Sequence, residues 1–287
     1  MEDYNNNSSP LSVCWNITSV CNDNCEFCYR NSNSKILSLE ENKTILRKLI
    51  KSGVKKISLI GGEPLLYDGL FDLIMLAHEA GVVTSLTTNG ILLDKEILTI
   101  LDKCLDWLTL SLDASNEQLQ TRLTRNENHF EKNISLLEII KSNNYSVNIK
   151  INTLVTKINK HDVPNITNII REYNVKRWKI FRFFPIRGQA IENISKFNIT
   201  DDDYNRMRKE VTLMRRFIKG CNICFADKDT LKDSYFLLFS DGTVMNSCNE
   251  QDVIVGNLLS DEIADIWSKE YFNKSRHIEV HDWLINE

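Results

Sequence analysis

The feature that most constrains the fold is a regular alternation of apolar, strand-like runs with segments whose apolar residues recur at helical spacing. The strand-like runs are residues 12–17, 55–60, 82–88, 107–112, 147–155 and 177–184. Two of the intervening helical segments end on Gly, a common helix C-cap. Strands that alternate with helices form parallel sheets. The sequence therefore predicts an α/β fold, a partial (β/α)6 TIM-like barrel with a C-terminal α/β extension.

The alternation stops after Pro185, and this divides the chain into three parts. We expect a polar N-terminal tail over residues 1–11, the barrel over residues 12–184 and the extension over residues 185–287. Within the extension, the sequence predicts a helix around residues 201–219 and a hairpin that turns at Asp241-Gly242. We expect the extension to close the barrel and to complete the substrate site.

Composition narrows the class of protein. The 287 residues are 42% hydrophobic and carry a formal net charge of −4, which argues against a general nucleic-acid or membrane-surface binder. Charged residues interrupt every long apolar run, and the polar start MEDYNNNSSP is unlike a signal peptide. We therefore expect a cytoplasmic protein with no nucleic-acid or membrane partner. A reducing compartment favours metal ligands, catalytic thiols or small buried residues over disulfides for its 8 cysteines.

Three cysteines lie within the stretch CNDNCEFC, in the loop after the first predicted strand: Cys21, Cys25 and Cys28. Zinc would need a fourth ligand, and no histidine is near. Cys14 is in the first strand, where a thiol packs as a small apolar group. Three thiolates at short spacing suit a four-iron cluster with one iron left open. The stretch GGEP directly follows the second strand, so both motifs are at carboxyl ends of strands, where barrel enzymes collect their chemistry.

The CxxxCxxC spacing and GGEP together resemble the radical SAM superfamily. The resemblance implies a 4Fe-4S cluster on the three cysteines, with S-adenosylmethionine on the open iron. It also implies that the loop Gly61, Gly62, Glu63 and Pro64 holds the methionine end of this cofactor. Tyr29 matches the aromatic residue near the adenine. Ser111 and Arg125 match the positions that hold the ribose and the carboxylate. Asn89 is either a cofactor contact or a turn residue before Gly90.

Basic side chains stand on strands that are otherwise apolar. Since side chains alternate along a strand, Lys150 and Asn152 share one face of the fifth strand, and Arg177 and Lys179 share one face of the sixth. Lys56 opens the second strand. A buried cation is costly unless an anion meets it. The set suits a polyphosphate, which Arg can bind in bidentate fashion and Lys as a point charge.

The strings KINTLV, VKRWKIF and LKDSYFLL narrow the resemblance to the viperin family and its prokaryotic relatives. That likeness implies an antiviral enzyme, which dehydrates a ribonucleoside triphosphate to its 3′-deoxy-3′,4′-didehydro analogue. CTP is favoured, with UTP or another nucleotide possible. Lys56, Lys150, Asn152, Arg177 and Lys179 would hold the nucleotide with Mg²⁺, and Tyr235 would donate hydrogen late in the reaction. A flavodoxin- or ferredoxin-type donor would supply electrons.

An alternative uses the C-terminal cysteines differently. GCNIC, SDGTVMNSC and the stretch from GNL to IADIW also resemble the Twitch and SPASM extensions of peptide-modifying radical SAM enzymes. In that interpretation Cys221, Cys224 and Cys248 bind an auxiliary cluster, and the substrate is a peptide. A third hypothesis is a non-enzymatic interaction protein that keeps its cluster only for structure.

Overall fold

The computed structural model describes residues 9–30, 34–123, 125–227, 233–248 and 251–281. In these ranges the strands are β1 Ser12–Thr18, β2 Lys56–Gly61, β3 Val83–Thr88, β4 Trp107–Ser111, β5 Asn148–Val155, β6 Arg177–Arg182, β7 Asn222–Ala226, β8 Phe236–Leu238, β9 Thr243–Cys248 and β10 Gln251–Asn257. The helices of the same ranges are α1 Leu39–Lys51, α2 Leu70–Glu79, α3 Lys95–Leu101, α4 Glu117–Arg122, α5 His129–Ser142, α6 Ile166–Glu172, α7 Gln189–Glu192, α8 Ile194–Phe197, α9 Asp201–Met214, α10 Ile263–Trp267 and α11 Lys274–His281.

Several helices begin at a side-chain cap. Ser38 and Glu41 form a reciprocal capping box at the start of α1. Asp94, Asn116 and Thr200 each accept a hydrogen bond from a backbone N–H in the first turn of α3, α4 and α9. Each cap satisfies an N–H group that the helix itself leaves unpaired, so the local sequence fixes where these helices begin.

Two compact units divide the chain. The described parts of Met1–Cys21, Ser32–Leu86 and Thr230–Glu287 form the first unit, and those of Asn22–Asn31 and Thr87–Asp229 form the second. The predicted tail and the predicted boundary at residue 184 remain predictions, and residues 1–8 of the tail lie outside the described ranges.

The sheet of the first unit has the strand order β10-β9-β8-β1-β2-β3. Strands β1, β2 and β3 are parallel, and β8 pairs in parallel with β1. Strands β8, β9 and β10 pair antiparallel. The predicted hairpin is therefore confirmed, and Gly242 supplies its left-handed backbone with φ +82°. Trp15, Ile17 and Phe236 are fully buried in the core of this unit.

The sheet of the second unit has the order β4-β5-β6-β7, and every pairing in it is parallel. The α/β prediction with parallel strands is confirmed. Strand β7 pairs with β6 although the sequence analysis predicted no strand there. The predicted helix around residues 201–219 is α9, followed by a 3-10 turn at Arg215–Phe217.

The faces of this second sheet differ in burial. Along β5, buried and half-buried residues alternate, and Ile149, Ile151 and Val155 are on the buried side. Lys150 and Asn152 are on the opposite, half-buried side, as the alternation predicted. Among the described residues, no helix combines the length and apolar character needed to cross a membrane.

Candidate active site

The cysteine loop (residues 22–30) belongs to the second unit and carries Cys25 and Cys28. Amide side chains hold its first half: Asn89 Nδ2 donates to Asn22 Oδ1 over 2.8 Å, and Asn126 Nδ2 donates to the Asn22 carbonyl over 3.1 Å. Residues of α7, of α8 and of the junction between them hold the rest. Gln189 bonds to Asn24, and both Asn193 and Lys196 bond to Glu26. The Ala190 N–H donates to the Cys28 carbonyl, and the Phe197 ring packs edge-on against Phe27.

Arg125 stands behind the first of these thiols. Its Nε and Nη2 donate to Asp113 Oδ2 over 3.0 and 2.8 Å. Its Nη1 is 3.3 Å from Cys25 Sγ and 3.6 Å from Asp23 Oδ2. Burial raises the pKa of the Cys25 thiol, and the Arg125 charge opposes that rise. Arg125 was predicted to hold the carboxylate of S-adenosylmethionine; in this structure it joins Asp113 to the cysteine loop, and the carboxylate role stays a prediction.

The donor set of this loop fits an iron–sulfur cluster. Its nucleophilic side chains are thiols, the ligands of iron–sulfur clusters; burial raises the pKa of Cys25, and the smaller effect of the Arg125 guanidinium lowers it. Among the described residues, no three His, Cys, Asp or Glu side chains are arranged to hold a single metal ion. A four-iron cluster asks for a wider arrangement, because each thiolate ligates a different iron. Cys21, the remaining predicted ligand, is half-buried in the first unit.

The GGEP loop belongs to the first unit and packs against the end of β1. Gly62 N donates to the Thr18 carbonyl over 2.7 Å, and Glu63 N donates to the Val20 carbonyl over 2.8 Å. A Cβ atom on Gly62 would be 2.1 Å from the Val20 oxygen, and one on Gly61 would be 2.6 Å from the Thr18 oxygen. Both glycines are therefore required by close backbone approach, whatever they do for a cofactor.

Glu63 and Pro64 start a 3-10 turn at Pro64–Leu66. The Glu63 carboxylate is fully buried and accepts from Leu65 N over 3.1 Å. This capping bond uses one oxygen of the residue that was predicted to accept from the ammonium group of the cofactor. The cofactor roles of both residues stay predictions.

The other predicted cofactor residues have these surroundings. Tyr29 is 51% exposed, and the Arg187 guanidinium is 5.5 Å from its ring centre. Asn89 is buried; its side-chain oxygen accepts from Ile91 N over 2.9 Å, as a turn residue does, while its amide holds the cysteine loop. Ser111 ends β4 and is opposite Asn152 on β5.

Two rows of polar residues cross the sheet of the second unit, because the strand register aligns them side by side. The first polar row is Thr109, Lys150, Arg177 and Asn222; the second polar row is Ser111, Asn152, Lys179 and Cys224. Paired residues on adjacent strands project from the same face. The rows therefore bring together four of the five predicted nucleotide-binding residues. Sequence reasoning missed Thr109 and Asn222; it gave Ser111 a cofactor role and Cys224 a role in an auxiliary cluster.

Lys56 and Tyr235 belong to the first unit. Lys56 is buried where β2 begins, opposite Ser12 of β1. Tyr235 directly precedes β8, and its ring contacts the His281 ring edge-on at a centroid distance of 5.7 Å. Their roles toward a substrate stay predictions.

The C-terminal cysteines differ in position. Cys224 is on β7 in the second polar row. Cys221 precedes that strand, and burial raises the pKa of its thiol to about 11. The side chain of Cys248 lies outside the part of the chain that the structure describes. An auxiliary cluster on these three residues stays a prediction.

The arrangement of thiols and glycines is that of a known superfamily. The model of the radical SAM superfamily matches residues 15–170. The chain belongs to this superfamily. Membership implies a 4Fe-4S cluster and S-adenosylmethionine, and the donor set of the cysteine loop fits the cluster.

Relatives within the radical SAM superfamily carry a more specific name. The chain is 26% identical over 291 residues to an S-adenosylmethionine-dependent nucleotide dehydratase of Flammeovirga pacifica, covering 97% of each chain. It is 32% identical over 204 residues to a protein of the same name from Lacinutrix mariniflava, covering 67% of this chain and 42% of that protein. The predicted likeness to viperin-like enzymes is confirmed at this level of identity.

Solved structures confirm the fold. SuiB of Streptococcus suis, solved with S-adenosylmethionine, is similar with a TM-score of 0.73 at 20% identity, covering 94% of this chain and 68% of that one. The same protein bound to its precursor peptide SuiA has a TM-score of 0.74 and covers 94% and 67%. The predicted partial TIM-like barrel of a radical SAM enzyme is therefore correct. Identity this low carries no information on substrate.

Proposed function

We propose that this radical SAM enzyme is viperin-like and dehydrates a ribonucleoside triphosphate to its 3′-deoxy-3′,4′-didehydro analogue, in antiviral defence. CTP is the favoured substrate, with UTP or another nucleotide possible. The observation that carries the proposal is the pair of polar rows. Relatives named nucleotide dehydratase support a nucleotide substrate.

The charge of the rows supports a triphosphate ligand. Lys150 and Arg177 are neighbours in the first polar row, and Lys179 is 7% exposed in the second. An anion that lies among three cations on adjoining strands is attracted by all of them. Arg177 can bind two phosphate oxygens at once, and the lysines act as point charges. Mg²⁺ would accompany the phosphates, since it is usually held by substrate phosphates and few protein ligands.

The remaining roles follow from the superfamily and from the contacts of each residue. When bound, the cluster and S-adenosylmethionine supply the radical that takes the 4′ hydrogen of the nucleotide. The cysteine loop fixes its thiols through contacts along its length, and the buried Arg125 beside Cys25 compensates their negative charge. The cations fix the nucleotide so that its sugar is held for attack. The 3′ hydroxyl leaves as water; the proton that this requires and the one electron that closes the 3′,4′ double bond would come together as a hydrogen atom from Tyr235, which the external electron donor then reduces back.

The test measures 5′-deoxyadenosine formed by anaerobically reconstituted, reduced protein. One of the four ribonucleoside triphosphates, CTP first, should stimulate this product far above background. With that nucleotide deuterated at C4′, the label should appear in 5′-deoxyadenosine. If no nucleotide at millimolar concentration stimulates the reaction, the proposal is wrong and a peptide substrate becomes the leading hypothesis.

Variants separate binding from chemistry. Lys150→Ala or Lys179→Ala should weaken nucleotide binding by about 1.5–3 kcal/mol, the usual range for a hydrogen bond to a charged group. Lys176→Ala is the matched control, because it removes an exposed lysine immediately before β6 and should leave affinity unchanged. Tyr235→Phe should keep nucleotide binding and cofactor cleavage but lower the yield of dehydrated nucleotide.

A further inference from the structure

One polar group in the first polar row has no hydrogen-bond partner although it is completely removed from solvent. Thr109, at the centre of β4, has 0% exposure, and its Oγ1 finds no partner among the described residues. The side-chain oxygen of Asn152, in the second polar row, is also buried and has no partner in the described part of the chain. Two orphaned oxygens therefore belong to neighbouring positions on one face of the same sheet.

An orphaned buried hydroxyl is costly, because it has lost its hydrogen bonds to water and gained none in the protein. Native proteins contain few such groups, and each calls for an explanation. A valine of the same shape would fill the position of Thr109 without that cost. A ligand that accepts a hydrogen bond from this hydroxyl would account for its presence at the position.

The opposite face of the sheet shows how the same residue type behaves when its role is structural. Thr153 on β5 is also 0% exposed, but its Oγ1 donates to the Leu112 carbonyl over 2.6 Å and accepts from Trp178 Nε1 over 2.9 Å. Both its hydrogen-bonding functions are used inside the protein. Thr109 and Thr153 thus form a matched pair, one satisfied by the fold and one not.

We propose that Thr109 is a further substrate-binding residue, whose hydroxyl donates to an oxygen of the phosphate chain. Its register partner is Lys150, and Arg177 follows in the same row, so the ligand group beside it is anionic. An anionic oxygen accepts a hydrogen bond from a hydroxyl, and such bonds are short and strong. This inference rests on the proposed function for the identity of the ligand, but a phosphate chain alone would satisfy the geometry.

The experiment uses Thr109→Val, Thr109→Ser and Thr153→Val in the anaerobically reconstituted protein with S-adenosylmethionine. Dissociation constants are measured for CTP and for inorganic triphosphate, and the melting temperature is measured without either. Thr109→Val should weaken both ligands about tenfold, the effect of losing one hydrogen bond to a charged group. Its melting temperature should be equal to or above that of the wild type, because an orphaned hydroxyl is removed. Thr109→Ser keeps the hydroxyl and should retain the affinity.

Thr153→Val should behave in the opposite way, with a lower melting temperature and unchanged affinity for both ligands. Unchanged triphosphate affinity in Thr109→Val would overturn the inference, as would a wild-type protein that binds neither probe. Failure of the proposed function has a different signature. In that case triphosphate binding still depends on Thr109, while no nucleotide stimulates formation of 5′-deoxyadenosine.

Discussion

The cysteine loop and the two polar rows belong to the same unit and differ in how their polar groups are satisfied. In the loop, the side chains of Asn22, Asn24 and Glu26 each have a protein partner. In the rows, the oxygens of Thr109 and Asn152 have none among the described residues. The described residues supply partners for these side chains of the loop, whereas they leave two buried oxygens of the rows without one.

Under the proposed function, this difference corresponds to two tasks. A cluster needs thiols that are already in place, and partners along the whole loop supply that order before any cofactor arrives. A substrate must enter and leave, so its site keeps hydrogen-bonding capacity that the empty protein does not use. Substitutions in the loop should therefore change stability and cofactor content, and substitutions in the rows should change ligand affinity.

The largest expected effect comes from the three predicted ligand cysteines. Replacing Cys21, Cys25 or Cys28 by Ala should abolish the visible iron–sulfur absorption and all reductive cleavage of S-adenosylmethionine. Cys104→Ala is the control, since that buried thiol of the second unit is not a predicted ligand, and only its packing and its weak hydrogen bond to the Ile100 carbonyl should be lost. A ligand variant that still cleaved the cofactor at the wild-type rate would contradict the assignment.

The next largest expected effect concerns the ion pair of Arg125 with Asp113, beside the cysteine loop. Asp113→Ala leaves the Arg125 charge, which is 11% exposed, without the carboxylate oxygen that accepts two of its hydrogen bonds. Breaking a buried pair in this way costs about 3–5 kcal/mol. It also removes the acceptor of Leu154 N. Denaturant unfolding should show the loss.

Asp201→Ala provides the comparison for that variant. Asp201 pairs with Arg182 at the surface and is 81% exposed, so its removal should cost no more than about 1 kcal/mol. Equal decreases in the free energy of unfolding for Asp113→Ala and Asp201→Ala would show that the Asp113–Arg125 pair stabilises the fold no more than a surface contact does.

Local patterns predicted the parts of this site that depend on neighbouring residues in the sequence. The cysteine spacing, the GGEP loop after β2 and the shared face of Lys150 and Asn152 follow from a few adjacent residues and from strand alternation. The turn role of Asn89 was also one of the alternatives considered, and its hydrogen bond to Ile91 N has that form.

Long-range relations could not be predicted in the same way. Thr109 is beside Lys150 only because of the register between β4 and β5, and pairing across the whole sheet sets that register. The partners of Arg125 are Asp113 and Asp23, which no local pattern connects. Helices α7 and α8 have four residues each, too few to show helical periodicity, yet they hold the cysteine loop.

A smaller effect should appear as a pH dependence of stability. Burial lowers the pKa of His129 to about 3, with a further contribution from the nearby Arg125 charge. Its Nδ1 is the acceptor for the amides of Gln120 and Asn133, so the folded protein keeps the ring neutral. The unfolded chain takes up a proton below its ordinary pKa of 6.5. Stability should therefore fall as pH decreases from about 6.5 toward 3, at about 1.4 kcal/mol per pH unit.

The measurement compares unfolding of the wild type and His129→Gln between pH 7 and about 4.5, a range in which the free imidazole titrates. His277, whose pKa burial also lowers, contributes a slope of the same sign to both proteins. The free energy of unfolding of the variant should change less steeply with pH than that of the wild type, and the difference in slope should correspond to about one proton. Identical slopes would mean that His129 is protonated in the folded state, and that the polar groups beside the loop are less closed to solvent than their burial indicates.

The smallest expected effect tests whether the cysteine loop depends on many contacts or on one. Lys196→Met removes the ion pair with Glu26, whose side chains are 41% and 39% exposed. An exposed pair contributes at most about 1 kcal/mol, so the melting temperature should fall only slightly. Iron content after reconstitution should be unchanged, because Asn22, Asn24 and Phe27 keep their own partners. Exchanging the two charges, Glu26→Lys together with Lys196→Glu, should restore the melting temperature. If Lys196→Met instead halved the iron content, a single surface contact would order the loop, and the contrast with the ligand-dependent polar rows would no longer hold.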